Sequence, residues 1–235
     1  MCILNLTTPE VMRKIMAVLL AAFILMNGSD IALASDKQQY PQVVLTLNDS
    51  TVIIGCLRSN LHDVDNNVSV SSTCDGKKIS YKIADINSLK VTYADGQDET
   101  YIPIHTWDKY SKKVNKNPIL ATVCFSGNHV VGYRIPSQYI KSSAAVPSSN
   151  FQSYSWYYDA WIFCYQADNS GIIKDFWVHI PVKKAPKLKS IIKNVKKNFK
   201  DYPIVAETIE SDCLTADTII QNPCILLEIL DKNLR

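Results

Sequence analysis

The densest run of aromatic side chains in the chain lies between Tyr154 and Tyr165. Within and beyond this run, four residues can stack against sugar rings or other flat, apolar ligand faces: Trp156, Tyr158, Trp161 and Trp177. The same side chains can instead fill a core, because a strand that is apolar on both sides is usually buried on both faces. The stretch is the best candidate for ligand binding, and both interpretations stay open.

The cysteines are the second group with possible chemistry. Cys2 precedes the apolar N-terminal segment, and six more follow it: Cys56, Cys74, Cys124, Cys164, Cys213 and Cys224. An even number favours disulfides in an oxidising compartment, whereas buried free thiols are the alternative. We expect Cys56 to pair with Cys74, Cys124 with Cys164, and Cys213 with Cys224. The spacing C-x-x-C does not occur, which argues against a thioredoxin-type site or a zinc ribbon.

Other catalytic patterns are missing from the sequence. The histidines are scattered and fit no metal-binding spacing: His62, His105, His129 and His179. There is no G-x-S-x-G motif around a serine and no glycine-rich phosphate loop. The formal net charge of +3 is too small to imply nucleic acid binding. The sequence therefore predicts no catalytic residue, no metal site, no cofactor and no nucleic acid partner.

Charge is concentrated near the C-terminus. Residues 183–200 contain eight lysines and no acidic residue, whereas residues 201–235 contain seven acidic and two basic residues. A lysine-rich helix face can bind anionic lipid headgroups or acidic glycans. The acidic segment that follows can also neutralise it within the fold, which is the simpler interpretation.

The N-terminal residues have the pattern of a secretory signal peptide. Arg13 and Lys14 precede an apolar run from Ile15 to Met26, and Ala32-Leu33-Ala34 follows as a small-x-small cleavage site. The run is about 18 Å long as a helix, too short for a bilayer core of about 30 Å. We expect residues 1–34 to be removed, with Met12 as an alternative start, and the mature chain to carry no transmembrane segment. A buried N-terminal helix is the competing interpretation.

The remaining chain has α+β character. Short runs with period two in residues 35–104 predict a small β-barrel-like module. Polar residues 105–118 predict a linker, and residues 119–182 predict a second antiparallel β unit. Residues 183–235 predict amphipathic C-terminal helices, since apolar residues there recur with a period of 3.6.

The N-terminal module resembles the small barrels of the Sm and SH3-like type. The resemblance rests on Leu47, Asp49 and Ser50, on Gly55, and on the run Lys82-Ile83-Ala84-Asp85-Ile86-Asn87-Ser88-Leu89. It implies a fold and no activity. In such barrels a lone glycine after the second strand lets the backbone bend, a part that Gly55 can play.

Residues 119–210 resemble the C-terminal halves of exported bacterial proteins of unknown function. Gly127, Val130, the aromatic hairpin and the run Phe199-Lys200-Asp201-Tyr202-Pro203 carry this likeness. The usual cysteine-proline of that pattern is Tyr202-Pro203 here. The resemblance implies a Gram-negative envelope protein in the periplasm, at the outer membrane or secreted.

These observations lead to one expected function and one alternative. We expect a non-enzymatic binding or accessory protein of the envelope that recognises a surface polymer or a protein partner. The alternative is a hydrolase whose site is assembled from scattered residues. Convergence of the aromatic residues and histidines in one deep pocket would favour the hydrolase.

Overall fold

The computed structural model describes residues 40–142, 155–168, 170–181, 183, 185–211 and 214–234. The predicted signal peptide, residues 1–34, lies outside these ranges, as does Cys213.

Antiparallel β structure dominates the described residues. Their strands are β1 (Gln42–Leu47), β2 (Val52–Leu57), β3 (Asn67–Ser71), β4 (Ile79–Lys82), β5 (Ile86–Thr92), β6 (Asp98–Ile104), β7 (Trp107–Asp108), β8 (Lys113–Val114), β9 (Ile119–Ser126), β10 (Val130–Ser142), β11 (Ser155–Ala167) and β12 (Lys174–His179). Ten of them form one sheet in the order β12-β11-β10-β9-β6-β5-β1-β2-β3-β4. β7 and β8 pair only with each other. Short 3₁₀ helices span Leu61–Asp63 and Ile83–Asp85.

The N-terminal strands curl around a core of their own. Leu45, Val68, Leu89 and Tyr101 are among its buried members. The curl is tight at Gly55, where the carbonyl oxygen of Ser71 occupies the space that a Cβ would need. A side chain at this position would separate β2 from β3, so glycine is required by close backbone approach.

The expected closed barrel is absent from the described strands. Closing the module would require β6 to return to its first strands, but β6 pairs with β5 and β9. Tyr101 of β6 lies opposite Thr122 of β9, so the ladder continues into the second β unit. The two expected β units therefore share one sheet.

Residues 105–118, predicted as a linker, fold onto that sheet. β7 and β8 form a small hairpin, and the backbone N–H of Trp107 donates to the carbonyl of Ile173 at 2.7 Å. Tyr110 at the hairpin tip is exposed.

The C-terminal residues form helices, as the 3.6-residue period predicts. They are α1 (Leu188–Asn198), α2 (Ile204–Ser211), α3 (Ala216–Gln221) and α4 (Ile225–Asn233). Ile191, Val195 and Phe199 are buried against the sheet, while the lysines of α1 face outward. Thr215 caps α3 by accepting a hydrogen bond from the Thr218 N–H.

The two faces of the sheet differ in the elements that cover them. Successive side chains of a strand point to opposite faces. One side of the sheet carries Phe163, Tyr165 and Trp177, which pack in the same cluster as the helices. We call this side the helix face. We call open face the side that carries Ile135, Ile162 and Val178, which are paired across β10, β11 and β12.

Candidate functional site

The four predicted platform residues do not share a surface. Trp161 and Trp177 lie on the helix face, where Trp177 is 9% exposed and Trp161 packs at the edge of the core. Trp156 and Tyr158 alternate to the open face with Ile162. A four-residue platform is thus divided between two sides of the sheet, and Trp177 is a core residue.

Trp161 is held by contacts with two side chains, His62 and Arg134. The His62 ring meets it edge-on, with ring centroids 4.7 Å apart. The Arg134 guanidinium lies over its face, 4.2 Å from the centroid. His62 Nδ1 also lies 2.9 Å from the carbonyl oxygen of Ser137 and 3.1 Å from that of Ala160. These contacts fix the 3₁₀ helix Leu61–Asp63 against β10 and β11, which is a structural role.

Arg134 continues this arrangement into a polar network on the helix face. Its guanidinium donates to the Glu99 carboxylate, which also accepts from the buried Tyr101 hydroxyl. The hydroxyl oxygens of Tyr93 and Tyr101 lie 3.0 Å apart. Burial raises the pKa of Tyr101, and its hydrogen bond to Glu99 raises that pKa further, so this phenol stays protonated. The network links Tyr101 of the N-terminal core to Trp161 at the edge of the helix-face core.

A groove of about 470 Å³ reaches one end of the network. Glu99, Arg134, Thr122 and Cys124 contribute to its walls. Glu99 and Arg134 are paired with each other, and Asp98, which also lines the groove, is paired with Lys90.

The open face exposes aliphatic side chains that a soluble sheet normally covers. Val123 of β9 is 49% exposed and Val178 of β12 is 52% exposed. At the other end of the sheet, Val44, Val52 and Ile54 are exposed on the same face, because Val44 lies opposite Ile54. Between these two groups runs a polar strip, in which Lys90 Nζ and Asp98 Oδ2 form an ion pair at 2.6 Å.

The β10–β11 hairpin adds aromatic residues to this face. Its outer half, residues 136–142 and 155–160, extends beyond the stretches that pair with β9 and β12. Tyr139 lies opposite Tyr158, and Lys141 lies opposite Trp156. We call this extension the aromatic ribbon. Lys183 Nζ lies 4.2 Å from the centroid of the Tyr139 ring.

The β7–β8 hairpin covers only part of the open face. A cavity of about 260 Å³ lies beneath it, with Trp107 and Tyr110 on one side and Ile135, Ile162 and Cys164 on the other. This volume is smaller than that of typical small-molecule pockets, about 300–1,000 Å³.

The cysteines are partly arranged as expected. Cys56 and Cys74 are joined, with their Cα atoms 5.1 Å apart. Cys124 and Cys164 are not joined. They lie on β9 and β11, which β10 separates, so their strands are about 10 Å apart, beyond disulfide reach. Instead, Cys124 Sγ lies 3.0 Å from Cys224 Sγ. The expected partner of Cys224, Cys213, lies outside the described residues.

The histidines do not converge. Three of them line separate cavities: His62 one, His179 another and His105 a third. His129 Nδ1 lies 3.8 Å from Asp168 Oδ1 at the β9–β10 turn. Trp161 meets the His62 ring and lies opposite His179, but these two histidines line different cavities.

The lysine-rich helix is partly neutralised within the fold. Lys196 Nζ lies 2.9 Å from Glu210 Oε1 of α2. Lys174 of β12, which is not part of this helix, forms a second ion pair, with its Nζ 3.4 Å from Asp201 Oδ2. Both pairs are exposed, and such pairs contribute little to stability.

No described helix is long and apolar enough to cross a membrane. The described part of the chain also brings no three metal-ligating side chains together. No protein-family model matches the chain, and no curated protein or solved structure matches it either.

Sequence reasoning missed the open face. Val123 and Val178 lie in runs that are apolar on both sides, which reads as burial on both faces. Strand parity alone would have separated Trp156 and Tyr158 from Trp161, since these residues are five and three positions from Trp161, and odd separations place side chains on opposite faces of a strand.

Proposed function

We propose that this chain is an exported, non-enzymatic binding protein that docks a protein partner on the open face of its sheet. The observation that carries the proposal is the pair of half-exposed valines on one face, Val123 and Val178. Exposed apolar surface on one face of a sheet is typical of an interaction site.

The chemistry of the open face favours a protein surface over a sugar polymer. Its exposed members on β1, β2, β9 and β12 are valine and isoleucine, which pack against apolar side chains but offer no ring for stacking. Sugar binding relies on aromatic rings with polar groups beside them. The Lys90–Asp98 strip supplies polar contacts of the kind found at the rim of protein interfaces. Trp156 adds an aromatic anchor at the ribbon.

Export is supported by sequence pattern and cysteine chemistry together. Residues 1–34 have the order of a cleaved signal peptide, and cutting is expected before Ser35. The joined pair Cys56 and Cys74 fits an oxidising compartment such as the periplasm or the exterior. N-terminal sequencing of protein purified from its host tests this part: intact residues 12–34 on a cytoplasmic protein would refute it.

The binding surface is tested by changing its charge. Val123→Asp with Val178→Asp places two carboxylates on the open face, where desolvating them would oppose docking. Ile79→Asp is the matched control, because Ile79 is 51% exposed but lies opposite Val70 on the concave side of β3. All three proteins should melt at nearly the same temperature.

Affinity capture from the host envelope, followed by quantitative mass spectrometry, gives the readout. Wild type and Ile79→Asp should retain the same partner, and the double variant should lose it by tenfold or more. Equal recovery by all three would contradict docking on the open face. Light scattering of each protein alone shows whether the partner is a second copy of the chain.

A further inference from the structure

Among the described residues, the closest approach of two unjoined thiols lies beneath the C-terminal helix. Cys124 is on β9 and Cys224 immediately precedes α4, one hundred residues later. Their sulfur atoms are 3.0 Å apart. Cys224 is buried, and Cys124 is half-buried at the wall of the groove beside Arg134.

The surroundings hold this pair in place. Gly132 of β10 lies beside them, and a Cβ added there would clash with Leu227 of α4 and with Phe125. On the same helix, the Asp231 carboxylate accepts hydrogen bonds from the backbone N–H groups of Asn128, His129 and Val130. α4 is thus fixed to the β9–β10 hairpin at both ends, and the two thiols cannot easily move apart.

We infer that Cys124 and Cys224 form a second disulfide, which links the C-terminal helix covalently to the sheet. The inference replaces both sequence-based pairings of these residues, and it does not depend on the proposed binding function. It leaves Cys164, which is 1% exposed on the other face, as a buried thiol.

The two thiols have different parts in forming this bond. The hydrogen bond from the Cys224 thiol and the nearby Arg134 charge lower the pKa of Cys124. The same hydrogen bond and burial raise the pKa of Cys224. Cys124 therefore ionises first and is also the more exposed of the two, so it is the attacking thiolate.

Formation requires an external disulfide, such as oxidised glutathione or an oxidised thiol oxidoreductase. The Cys124 thiolate attacks one sulfur of this oxidant, forming a mixed disulfide and releasing one thiolate. Cys224 then loses its proton and attacks the Cys124 sulfur, releasing the second thiolate. Two protein thiols are oxidised, and one external disulfide is reduced to two thiols.

Mass spectrometry of the whole purified protein, oxidised with glutathione and kept non-reduced, tests the link. Cleavage with trypsin alone leaves Cys213 and Cys224 in one peptide, but a second cleavage before Asp212 and Asp217 separates them. We expect residues 117–134 to be joined to residues 217–230, and residues 159–167 to carry an alkylated Cys164. Alkylation of both Cys124 and Cys224, or a link from Cys224 to Cys213, would overturn the inference.

Thermal melting of oxidised variants provides a second readout. Cys124→Ser with Cys224→Ser should lower the melting temperature by about 5–10 °C, because closing a loop of this length restricts the unfolded chain. Cys164→Ser is the control and should leave the peptide link intact. If the double variant does not fold, the peptide map of the wild type still decides the question.

Discussion

Both faces of the sheet carry apolar residues, but the helices cover only one of the two faces. On the helix face, Tyr165 stacks on Phe199 with ring centroids 5.0 Å apart, and Phe176 meets both rings. On the open face, Val123 and Val178 are about half exposed. The apolar content of a strand therefore does not reveal which face is covered, because the positions of the helices and of the β7–β8 hairpin decide it.

The largest expected effect is a difference in stability loss between substitutions of Trp177 and Trp156, two residues that the sequence analysis placed in one candidate platform. Trp177→Ala should lower the free energy of unfolding by about 3–5 kcal/mol, because it opens a cavity in the helix-face core. Trp156→Ala should lower it by less than about 1 kcal/mol, since Trp156 is 46% exposed. Urea unfolding measures both, and similar losses from the two changes would break the distinction between the faces.

A smaller effect is expected where α4 is fixed to the hairpin. Asp231→Asn removes the negative charge that accepts three backbone hydrogen bonds, of 3.1, 2.7 and 2.9 Å. We expect a loss of about 1–3 kcal/mol in unfolding free energy. Asp98→Asn on the open face is the control and should cost clearly less, because its pair with Lys90 is exposed. Equal losses would mean that α4 is not anchored by Asp231.

The same carboxylate predicts a pH dependence. Hydrogen bonds from His129, Asn128 and Val130 hold the pKa of Asp231 below its usual value in the folded state. Its contribution is therefore fully present above the unfolded pKa of about 3.9 and is lost as the pH falls through the lower folded value. The melting temperatures of wild type and Asp231→Asn should approach each other as the pH falls below about 4 and should coincide below the folded pKa of Asp231. A gap that is constant from pH 7 to pH 2 would contradict this.

The smallest effect is expected on the open face itself. Val123→Thr and Val178→Thr keep the shape of the side chain and its preference for strands. Each should change the unfolding free energy by less than about 0.5 kcal/mol. The matched change Val130→Thr on the helix face, where Val130 is 1% exposed, should cost more because it buries a hydroxyl. Comparable costs at all three sites would show that the open face is packed.

Local pattern was enough to predict some elements and not others. The spacing of Leu188, Ile191 and Val195 predicted α1, because helix periodicity depends on neighbouring residues only. The pairing of Cys56 with Cys74 was predictable for a similar reason, because it joins neighbouring β segments. By contrast, pairing β6 with β9 and bringing Cys224 to Cys124 both depend on long-range topology. The spacing of residues along the chain does not predict such contacts.

The candidate site was likewise predictable only in part. The aromatic stretch was recognisable by composition, and its alternation was readable from residue numbers. Which face stays open depends on where four helices and the β7–β8 hairpin come to lie, so Val123 and Val178 could not be selected in advance.

The central claim is that the open face is covered by a protein partner in the native envelope and bare in the isolated chain. Val178→Cys places a thiol on that face, and Ile79→Cys places one with similar exposure on the other side. Maleimide labelling, read by peptide mass spectrometry, should modify both thiols in the purified protein. In intact envelopes Cys at 79 should still react, whereas Cys at 178 should be protected at least fivefold. Equal labelling of position 178 in purified protein and envelopes would contradict the account.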